Sequence, residues 1–163
     1  MTAPLSPLSP VLPRILVQSE DFDLAAECDR LSQGRQDVGA LVSFVGLCRD
    51  EGGRLAALEL EHYPGMAETE IGRIASQALE RWPLTGLTVI HRHGKIAPGA
   101  QIVLVVAASS HRRAAFEAAD FLMDFLKTRA PFWKKEHLRD GSSGTWVEAK
   151  AVDDRDAERW DQR

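Results

Sequence analysis

Cysteine is scarce: two in 163 residues, Cys28 and Cys48. Their spacing matches neither a metal knuckle nor a redox pair, so a disulfide framework is excluded and a reducing cytoplasm is the simplest setting. No run of about 18 apolar residues is present, so no membrane span is predicted. The opening MTAPLSPLSPVLPR has no basic start and no long apolar centre, which excludes a secretory leader. There is no Walker or GxGxxG phosphate loop, no GxSxG elbow and no HExxH helix. Net positive charge is also missing: the balance is −4, which argues against nucleic acid as a partner.

What is present is ordinary globular material, 44% hydrophobic and 27% charged. The length suits one domain with a substantial core. Prolines in residues 1–13 predict a flexible arm, disordered or extended, leaving 14–163 as a single domain. Arg14–Gln18 predicts a strand and Phe22–Leu31 a helix capped by Asp21 or Asp23. Val38–Leu47 is almost continuously apolar and predicts a central strand buried on both faces. Arg49 leaves its end. Ala56–Tyr63 alternates as a strand, and His62 follows its apolar face. After Pro64-Gly65, residues Ile71, Ile74, Ala75, Ala78, Leu79 and Trp82 keep helical spacing until Pro83. Leu87–His93 and Gln101–Ala108 predict a hairpin. His91 and His93 share a strand face, but without further ligands nearby no metal site is expected.

The next helix, from about His111 to Arg129, is expected to be capped by Ser109 or Ser110. His111 and Arg112 stand at its start, where cations oppose the helix dipole and where an anion would be welcome. Phe125–His137, FLKTRAPFWKKEH, closes this helix, breaks at Pro131, and sets Lys127, Arg129, Lys134 and Lys135 around one bend with Phe132 and Trp133. From 111 to 139 there are seven Lys/Arg against four acids, a basic stretch in an acidic protein. Such a bend suits a flat, anionic molecule. Phe132–Leu138 is extended, Thr145–Ala149 predicts a final strand, and Asp153–Trp160 a short surface helix. The fold class is α+β, a mixed or antiparallel sheet with about three main helices.

The segments VSFVGLCRD (42–50), LELEHYPGMAE (58–68), RWPL (81–84), VIHRHG (89–94), SSHRRAAFEAADFLMDFLKTRAPFWKKE (109–136) and WVEAK (146–150) resemble the large, catalytic subunit of molybdopterin synthase, the MoaE family. The resemblance implies an α/β-hammerhead-like fold. It implies a cytoplasmic sulfurtransferase of molybdenum cofactor biosynthesis, converting cyclic pyranopterin monophosphate to molybdopterin. Sulfur comes from the thiocarboxylated C-terminus of a small ubiquitin-like carrier, with no metal and no cofactor. Carried over by motif, Lys127 and Lys134 are the catalytic pair. Arg49, His111 and Arg112 contact the substrate phosphate. Leu47, Cys48, Lys135 and Glu136 border the pocket, with Arg129 and Lys150 as further candidates. Lys150 stands where some relatives have arginine.

Crowding by other cations lowers a lysine's pKa, which would suit proton transfer by Lys127. His111 and Lys127 are 16 positions apart on one helix, roughly 24 Å along its axis. One pocket therefore needs a second chain, which predicts a homodimer and, with two carriers, a heterotetramer. The alternatives are a non-catalytic binding module for a carrier tail or another anion, and a single-strand RNA binder stacking on Phe132 and Trp133.

Overall fold

A computed structural model describes residues 9–146 and 151–161. In chain order the elements are β1 (Arg14–Gln18), α1 (Leu24–Ser32), β2 (Ala40–Leu47), β3 (Leu55–His62), α2 (Met66–Arg81), β4 (Leu84–Arg92), β5 (Gly94–Ile96), β6 (Gln101–Ser109), α3 (Arg112–Thr128), β7 (Phe132–Leu138) and α4 (Ala151–Glu158). The mixed α+β architecture is the expected one. A four-stranded sheet runs β1-β4-β6-β2, with β1 parallel to β4 and the remaining pairs antiparallel. A second, antiparallel sheet runs β5-β3-β7. The expected hairpin is the β4–β6 pair, and β5 in its connection joins the other sheet.

The central strands β4 and β6 are buried on both faces, so their apolar residues divide between two layers. Leu87, Val89, Val105 and Ala107 meet α2 and α3 through Ile71, Ile74, Ala118, Phe121 and Leu122. Ile90, Leu104 and Val106 meet α1 through Leu24, Cys28 and Leu31. Burying a side chain such as Phe121 is worth about 1.5–3 kcal/mol. The small sheet has its own core, Cys48, Leu55, Leu60 and Ile96.

Two expectations are corrected and a third is sharpened. The apolar run over 38–47 is not a central strand: among the described residues β2 forms an edge, paired only with β6. Leu41, Phe44 and Leu47 remain 36%, 40% and 56% exposed, because β6 holds the interior position. Neither serine caps α3. Its N-cap is His111, without a side-chain cap bond, since Ser109 Oγ donates to the Pro83 carbonyl and Ser110 Oγ to the Asp37 carbonyl. The segment expected as a short surface helix over Asp153–Trp160 exposes Arg155, Asp156, Glu158 and Arg159 but anchors its inner side in the core. Ala157 and Trp160 are buried, and Trp160 packs edge-on against Phe121 and Trp82. Of the strand expected over 145–149, Thr145 and Trp146 are irregular and the rest lies outside the described residues. Residues 9–13 of the predicted arm carry no regular structure, and 1–8 also lie outside.

Candidate functional site

Three elements and one loop converge at the open end of the four-stranded sheet. Helix α3 ends where Arg129 N–H donates to the Phe125 carbonyl at 2.7 Å, and Pro131 prevents its continuation. The chain then reverses into β7, held against β3 with Lys134 opposite Leu60 and Glu136 opposite Leu58. Lys127 on the last turn of α3 and Lys134 on β7 thereby face one space from opposite sides of the bend. From the third side comes the end of β2. Its continuation is fastened by Cys48 N–H to the Ala100 carbonyl at 2.8 Å and Gly99 N–H to the Cys48 carbonyl at 2.6 Å. Arg49 starts from that anchored point, largely exposed and paired with Glu51.

Two adjoining hollows share Lys127, Lys134, Phe44 and Leu47. One, about 380 Å³, is walled by Leu60, His91, Phe132 and Trp133, with Arg129 at its lip. The other, about 910 Å³, is lined by more charged side chains, among them Arg49, Arg54 and Glu136, and by Cys48. The two lysines thus stand on the boundary between an aromatic-walled chamber and a charged groove. Such a boundary can hold two anionic reactants close together while an aromatic wall keeps water from one of them.

Alternation on β7 sorts the remaining candidates. Lys134 and Glu136 share a face, whereas Lys135 turns away, its Nζ 5.5 Å from the Trp146 ring centroid. Arg129 lies over the Phe125 ring at 4.6 Å. Cys48 is buried, its thiol within 3.8 Å of the Ile96 carbonyl, and burial pushes its pKa up. A thiol held protonated is a poor nucleophile, so its side chain serves packing. Lys150 lies outside the described residues. His111 and Arg112 are exposed at the far end of α3, a 17-residue helix about 25 Å long. They line neither hollow, so one chain does not unite them with Lys127 and Lys134. No group of three or more His, Cys, Asp or Glu among the described residues could hold a metal ion. Among those residues no helix is long and apolar enough to cross a membrane.

His91, Arg54 and Phe44 are additions that motif reasoning did not place at the site. In the sequence His91 drew notice only as a possible metal partner of His93 on the same strand face. It is buried in β4, stacked on Phe132 with centroids 3.8 Å apart and planes 14° from parallel. Its Nδ1 lies 2.8 Å from the Arg92 carbonyl, an arrangement that requires Nδ1–H as donor. Burial, reinforced by Lys134, His62 and Lys127, lowers its pKa to about 4. The unfolded ring takes up a proton near pH 6.5, and the folded ring resists until about 4. Its contribution is therefore complete above about pH 6.5 and lost as pH falls from there toward 4, up to about 3 kcal/mol. Denaturant unfolding of wild type and His91→Phe at about pH 7 and about pH 4 checks this. The acid-induced loss is expected to be smaller in the variant by that amount.

Residues 17–129 match the family model described as MoaE protein. The molybdopterin synthase catalytic subunit of Mesorhizobium japonicum is 72% identical over 148 residues, covering 91% of this chain and 93% of the relative. The solved structure of the molybdopterin biosynthesis MoaE protein from Burkholderia ambifaria aligns with a TM-score of 0.79 at 45% identity, covering 92% of this chain and 99% of that one. Molybdopterin synthase from Staphylococcus aureus aligns with a TM-score of 0.72 at 28% identity, covering 82% and 95% respectively.

Proposed function

The chain belongs to the MoaE protein family, and from that premise we infer that it works as the catalytic subunit of a molybdopterin synthase, in molybdenum cofactor biosynthesis. It transfers sulfur from the thiocarboxylated tail of a small ubiquitin-like carrier to cyclic pyranopterin monophosphate, building the dithiolene. The observation that carries this reading is the placement of Lys127 and Lys134 on the boundary of two adjoining hollows. The reactants suit that boundary. The donor is an anionic thiocarboxylate, and the acceptor combines a flat ring with a phosphate.

Thiocarboxylate sulfur bonds to a side-chain carbon of the pterin as a carbon–oxygen bond there breaks. The oxygen leaves on the opened cyclic phosphate at one carbon and as water at the other, and the carrier stays joined through a thioester. Water then adds to the carrier's terminal carbonyl, the carbon–sulfur bond to the carrier breaks, and the carrier leaves as a carboxylate. Negative charge collects on the carbonyl oxygen during this step, and the Lys127 ammonium stabilises it. Lys134 holds the substrate and supports opening of the cyclic phosphate. Arg49, at the rim of the charged groove, binds phosphate oxygens in the two-pronged manner a guanidinium allows. Arg129, Glu136, Leu47 and Cys48 shape the walls. Lys135 acts outside the chamber, beside Trp146.

His111 and Arg112 serve the pocket of a second copy. The exposed apolar edge of β2 supports such pairing, because Leu41, Phe44 and Leu47 remain for another surface to cover. A homodimer with one carrier per pocket gives a heterotetramer. Mixing Lys127→Ala with Arg112→Ala tests the sharing. Random exchange makes half the dimers mixed, each with one intact site of two, so turnover is expected to recover to about a quarter of wild type. Recovery no greater than the sum of the two variants would show that each pocket is built from one chain.

A further inference from the structure

We propose that Asp50 is a positioning residue: with Arg139 it clamps the loop over 49–54 and so holds Arg49 at the charged groove where the substrate phosphate binds. The inference deepens the reading of that groove as part of a sulfur-transfer site and rests on it for its effect on turnover. It stands first on how the loop is closed. Asp50 Oδ1 accepts from the Leu55 N–H at 3.0 Å. The Arg139 backbone N–H donates to the Arg54 carbonyl at 2.9 Å, and Arg139 Nε donates to the Leu55 carbonyl at 3.3 Å. Arg139 Nη2 lies 3.7 Å from Asp50 Oδ2. The residue after β7, the first residue of β3 and the Asp50 carboxylate thus meet in one knot at the base of the loop.

The second support is what flanks Arg49. On one side Cys48 is fastened through its backbone to Ala100 and Gly99. On the other, Asp50 is fastened through its side chain. From there to Leu55 the chain passes Gly52 and Gly53, with φ of +84° and +70°. Glycines make that turn possible, but they also leave the loop slack. A side chain that closes the loop removes this freedom before the anion arrives. Charge is the third support. Asp50 lines the groove beside Arg49 and Arg54, where an uncompensated carboxylate would repel a phosphate. Its side chain is largely buried, one oxygen taken up by the Leu55 N–H and the other facing the Arg139 guanidinium. Asp50 therefore shapes the groove while its charge is answered from the side. Arg49, by contrast, is largely exposed and pairs with Glu51, an equally exposed carboxylate that a phosphate can replace at little cost.

Two measurements test this. In amide hydrogen exchange, Asp50→Ala is expected to speed exchange of the Leu55 N–H at least about tenfold, whereas Asp50→Asn, which keeps an acceptor oxygen, stays near the wild type. In turnover, Asp50→Ala is expected to raise KM for cyclic pyranopterin monophosphate about tenfold, with KM for the carrier changed less than about twofold. Asp50→Asn is expected to recover most of that loss. Placed on Arg49→Ala, Asp50→Ala is expected to add less than about a further twofold, because the clamp acts through the arginine. Unmoved Leu55 exchange in Asp50→Ala would overturn the proposal. So would an unchanged or lowered pterin KM in that variant, or its full tenfold effect without Arg49. Absence of dithiolene product from the wild type would instead strike the assigned reaction and leave the exchange result to decide the clamp.

Discussion

Lys127→Ala is expected to reduce dithiolene formation by about 10²–10⁴-fold while the protein remains folded. The stability side follows from position. Lys127 lies in the last turn of α3, exposed at the open end of the sheet. Its structural contribution there is the attraction of a cation to the helix C-terminus, about 0.3–1 kcal/mol. Alanine costs no helix propensity, and the neighbouring Phe125 and Leu126 retain their burial. The rate side follows from the boundary between the hollows. Thioester cleavage puts a full charge on one oxygen, in a chamber partly closed by Leu60, Phe132 and Trp133. Among the described residues no other Lys or Arg beyond Lys134 is common to both hollows. Carrier binding, spread over the charged groove, is expected to weaken much less than kcat. Comparing single-turnover rates and carrier affinity with the thermal unfolding midpoint separates these effects. An inactive variant that also unfolds early would return Lys127 to a structural role.

Trp160→Ala is expected to cost about 3–5 kcal/mol of stability, the largest single loss anticipated outside the site. Trp160 is 3% exposed and stands edge-on to both Phe121 and Trp82, with centroids 5.6 Å away in each case. Its Nε1–H donates to Asp124 Oδ2 at 2.6 Å, and Arg159 donates to the same oxygen at 2.7 Å. Burial raises the Asp124 pKa, and these two donors act against that rise. Removing the indole therefore leaves a cavity and takes one donor from a half-buried carboxylate. Because Asp124 and Phe121 belong to α3, the tail braces the helix that ends in Lys127. Denaturant unfolding measures the loss, and Trp160→Phe should recover the packing part but not the hydrogen bond. A loss below about 1 kcal/mol would mean the tail is not part of the cooperative unit.

The bend at Pro131 was legible because proline, the cations and the apolar helix face are all local signals. The helices α2 and α3 were equally clear from their spacing. Alternation also separates Lys135 from Lys134 and Glu136, although the motif alone groups all three. The edge position of β2 was not legible. Leu41, Phe44 and Leu47 carry the same apolar pattern whether their own chain covers them or another does, and nothing in the run distinguishes the two. Trp160 was placed on the surface because its partners, Phe121 and Asp124, are more than 30 positions earlier. His91 was missed for a related reason. A polar residue in a buried strand announces burial, but its stack on Phe132 depends on how two sheets meet.

The most direct test of the account is the molar balance of sulfur. Purified chain, thiocarboxylated carrier and cyclic pyranopterin monophosphate are combined without added metal, and carrier carboxylate and dithiolene product are quantified together. About two carriers are expected to be converted per dithiolene formed, since each carrier tail delivers one sulfur and the product holds two. Carrier and pterin that bind but are recovered unchanged would contradict it, leaving the hollow a binding site and Lys127 and Lys134 no more than its anion contacts.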